Sequence, residues 1–550
     1  MTPTRTAHRA RPARRTLRAA VAALSAAVLV AGCGSGSGSG SAGGDGGKIT
    51  FLLDSLGSSW VPNVASFSSF QGNVFSQVYD KLVYVDSAGK VSPWIAEKWE
   101  NNADSTQFTL HLRPGVTFSD GEKLDAAAVV ANLDYWAKGQ AGKGIAPIGL
   151  FPKTYAGAKA VDATTVSVRF SSPTLGFIPV LGYAASALYA PKALQGSATA
   201  QADLAKNFGS GPYVVSSWKA DDNVVLTKRK GYTWGPAALG NKGAAHIDQI
   251  TYKVNADPAV RTAAVQSNQA QVAYNPTPQQ ITDLKKQGFS IYTPVYVGFA
   301  YGWALNTRTP TFKDVRVRQA VQHGIDRDEI LKTVYTSDWK AATSFFNSTV
   351  PGVTDESDQF GFDPTRSARL LQQAGWTKGP GGTLTKGGQP LELTLYANPY
   401  LPTSKQVDQL IATQLGKLGI TVKVQAYDVI TYGEKVKLTA PNVAAYEITR
   451  SIGDASTAAN VFTDANQGEN WFNLGSRDPV IDKLRTRISG ATDRAARDRD
   501  LAALQEHVLQ QAYYVPITQI VQRPLLTSSK LKGLVEDSTA FPKFADATIG

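Results

Sequence analysis

Apolar residues recur along this chain in two rhythms, one of period two and one near 3.6. Ile49-Thr-Phe-Leu-Leu53 is a short, nearly continuous apolar run that predicts a buried strand. In Gln107-Phe-Thr-Leu-His-Leu112, Phe108, Leu110 and Leu112 share one face, and Val166-Ser-Val-Arg-Phe170 alternates in the same way. Both predict half-buried strands, and His111 falls on the polar face, where a solvated side chain is expected rather than a ligand. Tyr213-Val-Val and Asn223-Val-Val-Leu226 flank Trp218 as a hairpin pair. Over Lys123 to Trp136 the spacing turns helical, with Val129, Leu133 and Trp136 on one face and Asp125 as N-cap. Asp363-Pro364 opens another helix whose stripe, Leu370, Leu371 and Ala374, stops at Gly375. Val407, Leu410, Ile411, Leu415 and Leu418 form a further stripe, closed by Gly419 and followed by the strand Ile420-Thr-Val-Lys-Val424. Asp478-Pro479 starts one more helix, and Thr492 to about Gln511 the last. Strands and helices mix throughout, which predicts α/β or α+β layers, with no internal repeat at a fixed period.

The chain has 550 residues, enough for roughly three or four domains. Hydrophobic residues make up 43% and charged residues 18%, a balance that excludes a disordered chain. The single Cys excludes an intramolecular disulfide and a Cys-rich zinc site. The net charge of +12 suggests nucleic acid until it is located. Arg5, Arg9, Arg11, Arg14, Arg15 and Arg18 precede residue 20 without an acid among them, so the rest carries 12 − 6 = +6. That weak field argues against phosphate binding, and no nucleic-acid partner is expected.

The basic start leads into the apolar run Ala19 to Ala31 and then Gly32-Cys33. Such a run is too short for a membrane-spanning helix of about 20 residues and suits a signal-peptide core. Val30-Ala31-Gly32-Cys33 resembles a bacterial lipobox, which makes Cys33 the expected lipidated residue after removal of residues 1–32. Arg14-Arg15 leaves the general secretory and twin-arginine routes both open. Residues 33–48 are Gly/Ser-rich, a flexible tether reaching about 5–6 Å × √n. A lipid-anchored body on the extracellular face of the cell membrane is expected, or on the periplasmic side where an outer membrane exists.

Enzyme signatures are scarce. The chain carries no G-x-S-x-G elbow, no phosphate loop of the G-x-x-x-x-G-K-S/T kind and no dinucleotide G-x-G-x-x-G after a strand. Gly209-Ser210-Gly211-Pro212 reads as a turn, and Asp221-Asp222 and Asp326/Asp328 as solvated or capping acids. The five histidines are scattered, so neither a metal nor another cofactor is expected. A glycosidase-type carboxylate pair carries no short motif and stays open as an alternative, as does a sensory protein with an empty cleft.

Several stretches together resemble the family 5 extracellular solute-binding proteins of ABC importers, which include oligopeptide-, dipeptide- and nickel-binding receptors. They are Val78 to Asp86, Pro93-Trp-Ile-Ala-Glu-Lys-Trp99, and Phe108 through Arg113-Pro-Gly-Val-Thr-Phe-Ser-Asp-Gly121. Gly209-Ser-Gly-Pro-Tyr213 with Trp218, Leu305-Asn-Thr307, Phe312 to Val321 and Ile325-Asp-Arg327 follow. Phe362-Asp-Pro364 with Ala374-Gly-Trp376, and Val515-Pro-Ile517, complete the series. The resemblance implies a mixed α/β, two-lobed periplasmic-binding-protein fold of type II, hinged, with an extra domain. It places the first lobe in residues 49–79, 208–300 and 517–550, the extra domain in 80–207 and the second lobe in 301–516. It further implies a monomer that captures short peptides, or alternatively an oligosaccharide or other small polar solute, and delivers them to permease subunits.

The same resemblance nominates the site. In peptide-binding relatives an Asp in the second lobe holds the peptide's α-ammonium, and Asp454 in Arg450-Ser-Ile-Gly-Asp454-Ala-Ser-Thr-Ala458 stands there. The upstream aromatic is missing and Ala458 replaces the customary Pro, so a helix-capping Asp454 is the even alternative. Trp60, Phe70, Tyr301, Trp303 and Trp471 are the aromatic candidates for the cleft, against ordinary core packing.

Overall fold

The computed structural model describes residues 46–57, 59–65, 70–149, 151–437, 440, 442–448, 450–452, 454–458, 477–519 and 524–550. The expected export segment, Cys33 and Trp471 lie outside the described residues. The first lobe is built on a seven-stranded sheet, in the spatial order Ser290–Tyr292, Leu525–Thr527, Val272–Tyr274, Lys48–Leu53, Gln249–Val254, Asn223–Lys228 and Tyr213–Lys219. At its centre Lys48–Leu53 runs parallel to both Gln249–Val254 and Val272–Tyr274, while the outer pairs are antiparallel. Parallel strands are covered on both faces, which is why Ile49 to Leu53 reads as an apolar run and is buried at Phe51 and Leu53.

An extra domain carries the antiparallel sheet Ala96–Asn101, Gln107–Leu112, Thr165–Phe170, Tyr155–Ala160. The helix Ala126–Lys138 packs on it, capped by Asp125, whose side chain accepts from the Ala128 amide. Gly209 and Gly211 join this domain to the first lobe. A Cβ at either would stand 2.1 Å and 2.5 Å from the carbonyl oxygens of Val78 and Gln77, so the two glycines permit a backbone approach that no other residue allows. Beneath them, buried Asp80 accepts from Tyr232 (3.1 Å) and Trp234 (2.9 Å). Nearby, Asp537 pairs with Lys81 (3.1 Å) and Lys543 (3.7 Å), tying the C-terminal segment into the first lobe.

The second lobe centres on the antiparallel strands Ala445–Ile448, Tyr301–Leu305 and Tyr514–Thr518. Beside them run the parallel pair Glu392–Ala397 and Thr421–Ala426. Three of its helices start within two residues of where the sequence predicts. Asp363 caps Pro364–Gln373, Asp478 caps Pro479–Gly490 and Asp493 caps Arg494–Gln510, each accepting from a first-turn amide. The chain crosses between the two sheets twice, between Tyr292 and Tyr301 and between Thr518 and Leu525. The apolar core is continuous across these crossings, since Val297, Phe299, Phe345, Phe346, Ile452 and Tyr514 join the cluster that contains Phe51 and Tyr252.

Candidate functional site

The three parallel strands end side by side at Leu53, Val254 and Tyr274. Open α/β sheets bind ligands outside the carboxyl ends of such strands, where loops diverge and backbone groups are free. Here the loop after Val272–Tyr274 holds Asn275 at φ +54°, a left-handed conformation rare outside glycine. Its amide donates to the Pro524 carbonyl (2.9 Å) and its side chain to Asp54 Oδ2 (3.4 Å). Arg261 fastens the same turn, donating to the carbonyls of Tyr274 (2.9 Å), Asn255 (2.7 Å) and Ala256 (3.0 Å). Burial raises the carboxyl of Asp54, and the Arg261 charge offsets part of that rise.

Against this edge lies a narrow recess of about 30 Å³. The first lobe contributes Tyr274, Asn275, Pro276 and Pro278; the second contributes Tyr301, Tyr335, Trp339, Tyr400 and Thr403, and Thr518 and Pro524 close the back. Tyr335 stacks on Trp339 (5.3 Å between ring centres) and accepts from the Thr403 hydroxyl (3.1 Å). Phe70 bridges the mouth, 6.4 Å from the ring of Tyr274 and 6.5 Å from that of Tyr400. No Lys, Arg, His, Asp or Glu is among the described residues of the lining.

Behind the wall lies a carboxyl pair. Tyr301 donates to Glu447 Oε1 (3.0 Å), and Ser404 donates to both oxygens of Glu447 (2.8 and 3.0 Å). Asp408 adjoins Glu447, and neither makes an ion pair among the described residues. Burial raises both carboxyls well above the usual range. Two carboxylates only accept, so the contact between them becomes a hydrogen bond when one keeps its proton. Among the described residues the oxygens of Asp408 have no other partner.

Of the nominated residues, the structure brings Tyr301 and Phe70 to the recess. Trp60 packs instead against Phe75 and Trp218 in the first-lobe core, and Trp303 is buried in the second-lobe core. Asp454 stands apart from the recess lining and meets Gly176 of the extra domain. Its Oδ2 pairs with Arg497 (3.3 Å) and its Oδ1 accepts from the amide of Ser456 (2.9 Å) and from its hydroxyl. Next to it the Tyr183 phenol donates to the Ser451 carbonyl (2.9 Å). Sequence reasoning missed Asp54, Asn275, Tyr335, Trp339, Tyr400 and Glu447. The signals available were an acid directly after a buried strand, the Asn275-Pro-Thr-Pro278 turn, and a lone acid in the apolar run Val443 to Ile448.

Comparison with known proteins places this geometry. Residues 90–470 match the bacterial extracellular solute-binding proteins, family 5. The chain is 25% identical over 470 residues to the glutathione-binding protein GsiB of Escherichia coli K12, covering 83% of this chain and 86% of that one. Its fold superimposes on NikA from Brucella suis in complex with Fe(III)-EDTA, with TM-score 0.77 and 24% identity, covering 92% of this chain and all of that one. It also superimposes on DppA from Helicobacter pylori in complex with peptide STSA, with TM-score 0.74 and 21% identity over 92% and 98% of the two chains. The fold is thus the two-lobed, hinged type II arrangement with an extra domain, and the chain belongs to the bacterial extracellular solute-binding proteins of family 5.

Proposed function

We propose that this protein is the solute-capturing lipoprotein of an ABC importer, closing its lobes on short peptides outside the cell and presenting them to permease subunits. The observation that carries the reading is the recess itself, which is walled by both lobes at the carboxyl ends of the parallel strands. Contacts across the lobes accompany it. Lys285 bonds both oxygens of Asp338 (2.5 and 2.6 Å), Phe70 meets Tyr400, and Tyr183 holds Ser451. A solute touching both walls adds contacts present only when the lobes are closed, and so shifts the population toward that state. A relative named for glutathione and a neighbour solved with peptide STSA support peptides as the solute class. Tyr301 and Phe70 are the proposed contacts; Asp454, paired with Arg497 away from the recess, would hold a peptide's ammonium only by giving up that pair.

Native mass spectrometry of the freshly purified chain tests this. Co-purified masses spaced by amino-acid residues support the peptide reading, and a ladder spaced by hexoses moves the assignment to an oligosaccharide. The anchoring part is tested separately: Cys33→Ser should move the protein from the membrane to the soluble fraction, and unchanged membrane association would remove lipidation from the proposal.

A further inference from the structure

Two features of the recess point to the charge of what enters it. Its wall is aromatic, with the rings of Tyr274, Tyr301, Tyr335, Trp339 and Tyr400, and no described lining residue carries a positive charge. Aromatic faces attract cations, and the attraction strengthens when water is excluded. Directly behind Tyr301 lies a buried pair of acids that makes no ion pair among the described residues.

Among the described residues, phenols, hydroxyls and the Asn398 amide surround that pair. Tyr301 reaches it from one strand and Ser404 from the helix Ser404–Lys417, which also carries Asp408. Tyr335, Tyr432 and Tyr514 stand around it, and Tyr446, next to Glu447, feels Arg450. On the first-lobe side Asp54 stands behind Asn275, and it alone has a cation, Arg261, acting on it. An acid pair with no counter-cation among the described residues favours keeping a proton.

From this geometry we infer that the recess receives a cationic group of the solute, an ammonium or guanidinium, and that the Asp408/Glu447 pair gives up its shared proton as that charge arrives. The step balances. The pair with its one shared proton carries a single negative charge; as the cationic solute arrives it becomes doubly anionic behind Tyr301, with one proton released to the buffer. Tyr301 transmits the change, because its hydroxyl donates to Glu447 while its ring lines the recess. The inference rests on reading this cleft as the solute site and adds the charge of the solute.

The test is titration calorimetry on the whole chain with Ala-Lys-Ala, Ala-norleucine-Ala and the non-peptide cation agmatine, each in two buffers of different ionisation enthalpy. The expected result is tighter binding of the lysine probe by about tenfold, with about one proton released and affinity rising with pH. Glu447→Gln should abolish the proton release and the preference, and Asp408→Asn serves should that variant fail to fold. Equal binding of the two peptides without proton release overturns the inference and leaves the importer reading standing. Agmatine binding with proton release while neither peptide binds keeps the inference and removes the peptide reading. Failure of all three probes overturns both.

Discussion

Arg497→Gln is the substitution whose consequence the structure fixes most tightly. Arg497 lies on the helix Arg494–Gln510 with its side chain 4% exposed, and faces Asp454, 8% exposed, at 3.3 Å. Removing one partner of a buried ion pair strands the other charge, typically at 3–5 kcal/mol. Asp454 keeps its bonds from the amide and hydroxyl of Ser456. Those bonds place the expected loss near the lower end, about 3 kcal/mol. Asp454→Asn should cost less, about 1–2 kcal/mol, because Arg497 retains Asp498 at 3.0 Å. In the double variant the stranded charge is gone, so the two losses should not add. The coupling should reach about 2 kcal/mol. Urea unfolding of the four proteins at neutral pH measures all three quantities. A loss under about 1 kcal/mol for Arg497→Gln, or strict additivity, would refute the buried-pair reasoning. The same proteins probe the ammonium anchor. If Asp454 holds a peptide's terminus, Asp454→Asn weakens peptide binding by more than its effect on folding explains, and unchanged affinity removes that role.

Three further outcomes follow from other parts of the molecule. Gly176→Ala should weaken solute affinity by about tenfold, read by calorimetry, because its Cβ would stand 2.5 Å from Asp454 Oδ1 where the extra domain meets the second lobe; unchanged affinity would mean that this contact is not closed when solute binds. Asp338→Asn should speed solute release a few-fold in low salt and hardly at all in high salt, since a partly exposed pair such as Lys285–Asp338 contributes about 0.2–1 kcal/mol; a salt-independent effect in stopped-flow release would contradict it. Stability should fall as pH rises from about 4 to about 7. Burial raises Asp80 to about 6 and Glu536 to about 7 and lifts the Asp408/Glu447 pair, so the folded chain keeps protons that the unfolded chain has released. His323, lowered by burial, works the other way, and Asp537, depressed to about 2 by Lys81 and Lys543 against its own burial, loses its stabilisation only as pH falls through that value. Denaturation midpoints that rise between about pH 5 and pH 7 would contradict this ordering.

Helix starts were legible because their determinants are local. An Asp followed by Pro supplies an acceptor for a first-turn amide and a fixed φ within two residues, and Asp363 and Asp478 act that way here. Strand faces were legible for the same reason at Phe108, Leu110 and Leu112. The cleft was not, because no stretch of sequence contains it. Tyr274, Tyr301, Tyr400 and Pro524 come from distant segments that meet only after both lobes have formed. Aromatic type does not tell a core ring from a cleft ring, so Trp303 and Tyr301, on the same strand, could not be separated by pattern. Only the Tyr301 hydroxyl's bond to Glu447, across a strand pairing 146 residues apart, shows why that ring stands at the wall. Asp454 was ambiguous for a similar reason: its neutralising partner, Arg497, lies on a helix 43 residues later.

The contacts between the lobes are individually weak, and that weakness suits a receptor. The Lys285–Asp338 pair contributes less than about 1 kcal/mol, and the Tyr183–Ser451 bond about 1 kcal/mol. Contacts of that size keep the two lobe arrangements within a few kcal/mol of each other, so a solute bridging Tyr274 and Tyr400 can tip the balance. The crossing between Tyr292 and Tyr301 is held more firmly. Ser538 accepts from the Val297 amide and donates its own to Val85 (2.9 Å each), so the C-terminal segment pins one crossing to the first lobe. Buried Asp537 beside it, paired with Lys81 and Lys543, anchors that pin. One pinned crossing beside weak cleft contacts suits a recess that opens and closes, and a change of charge at Glu447, behind its wall, would act there.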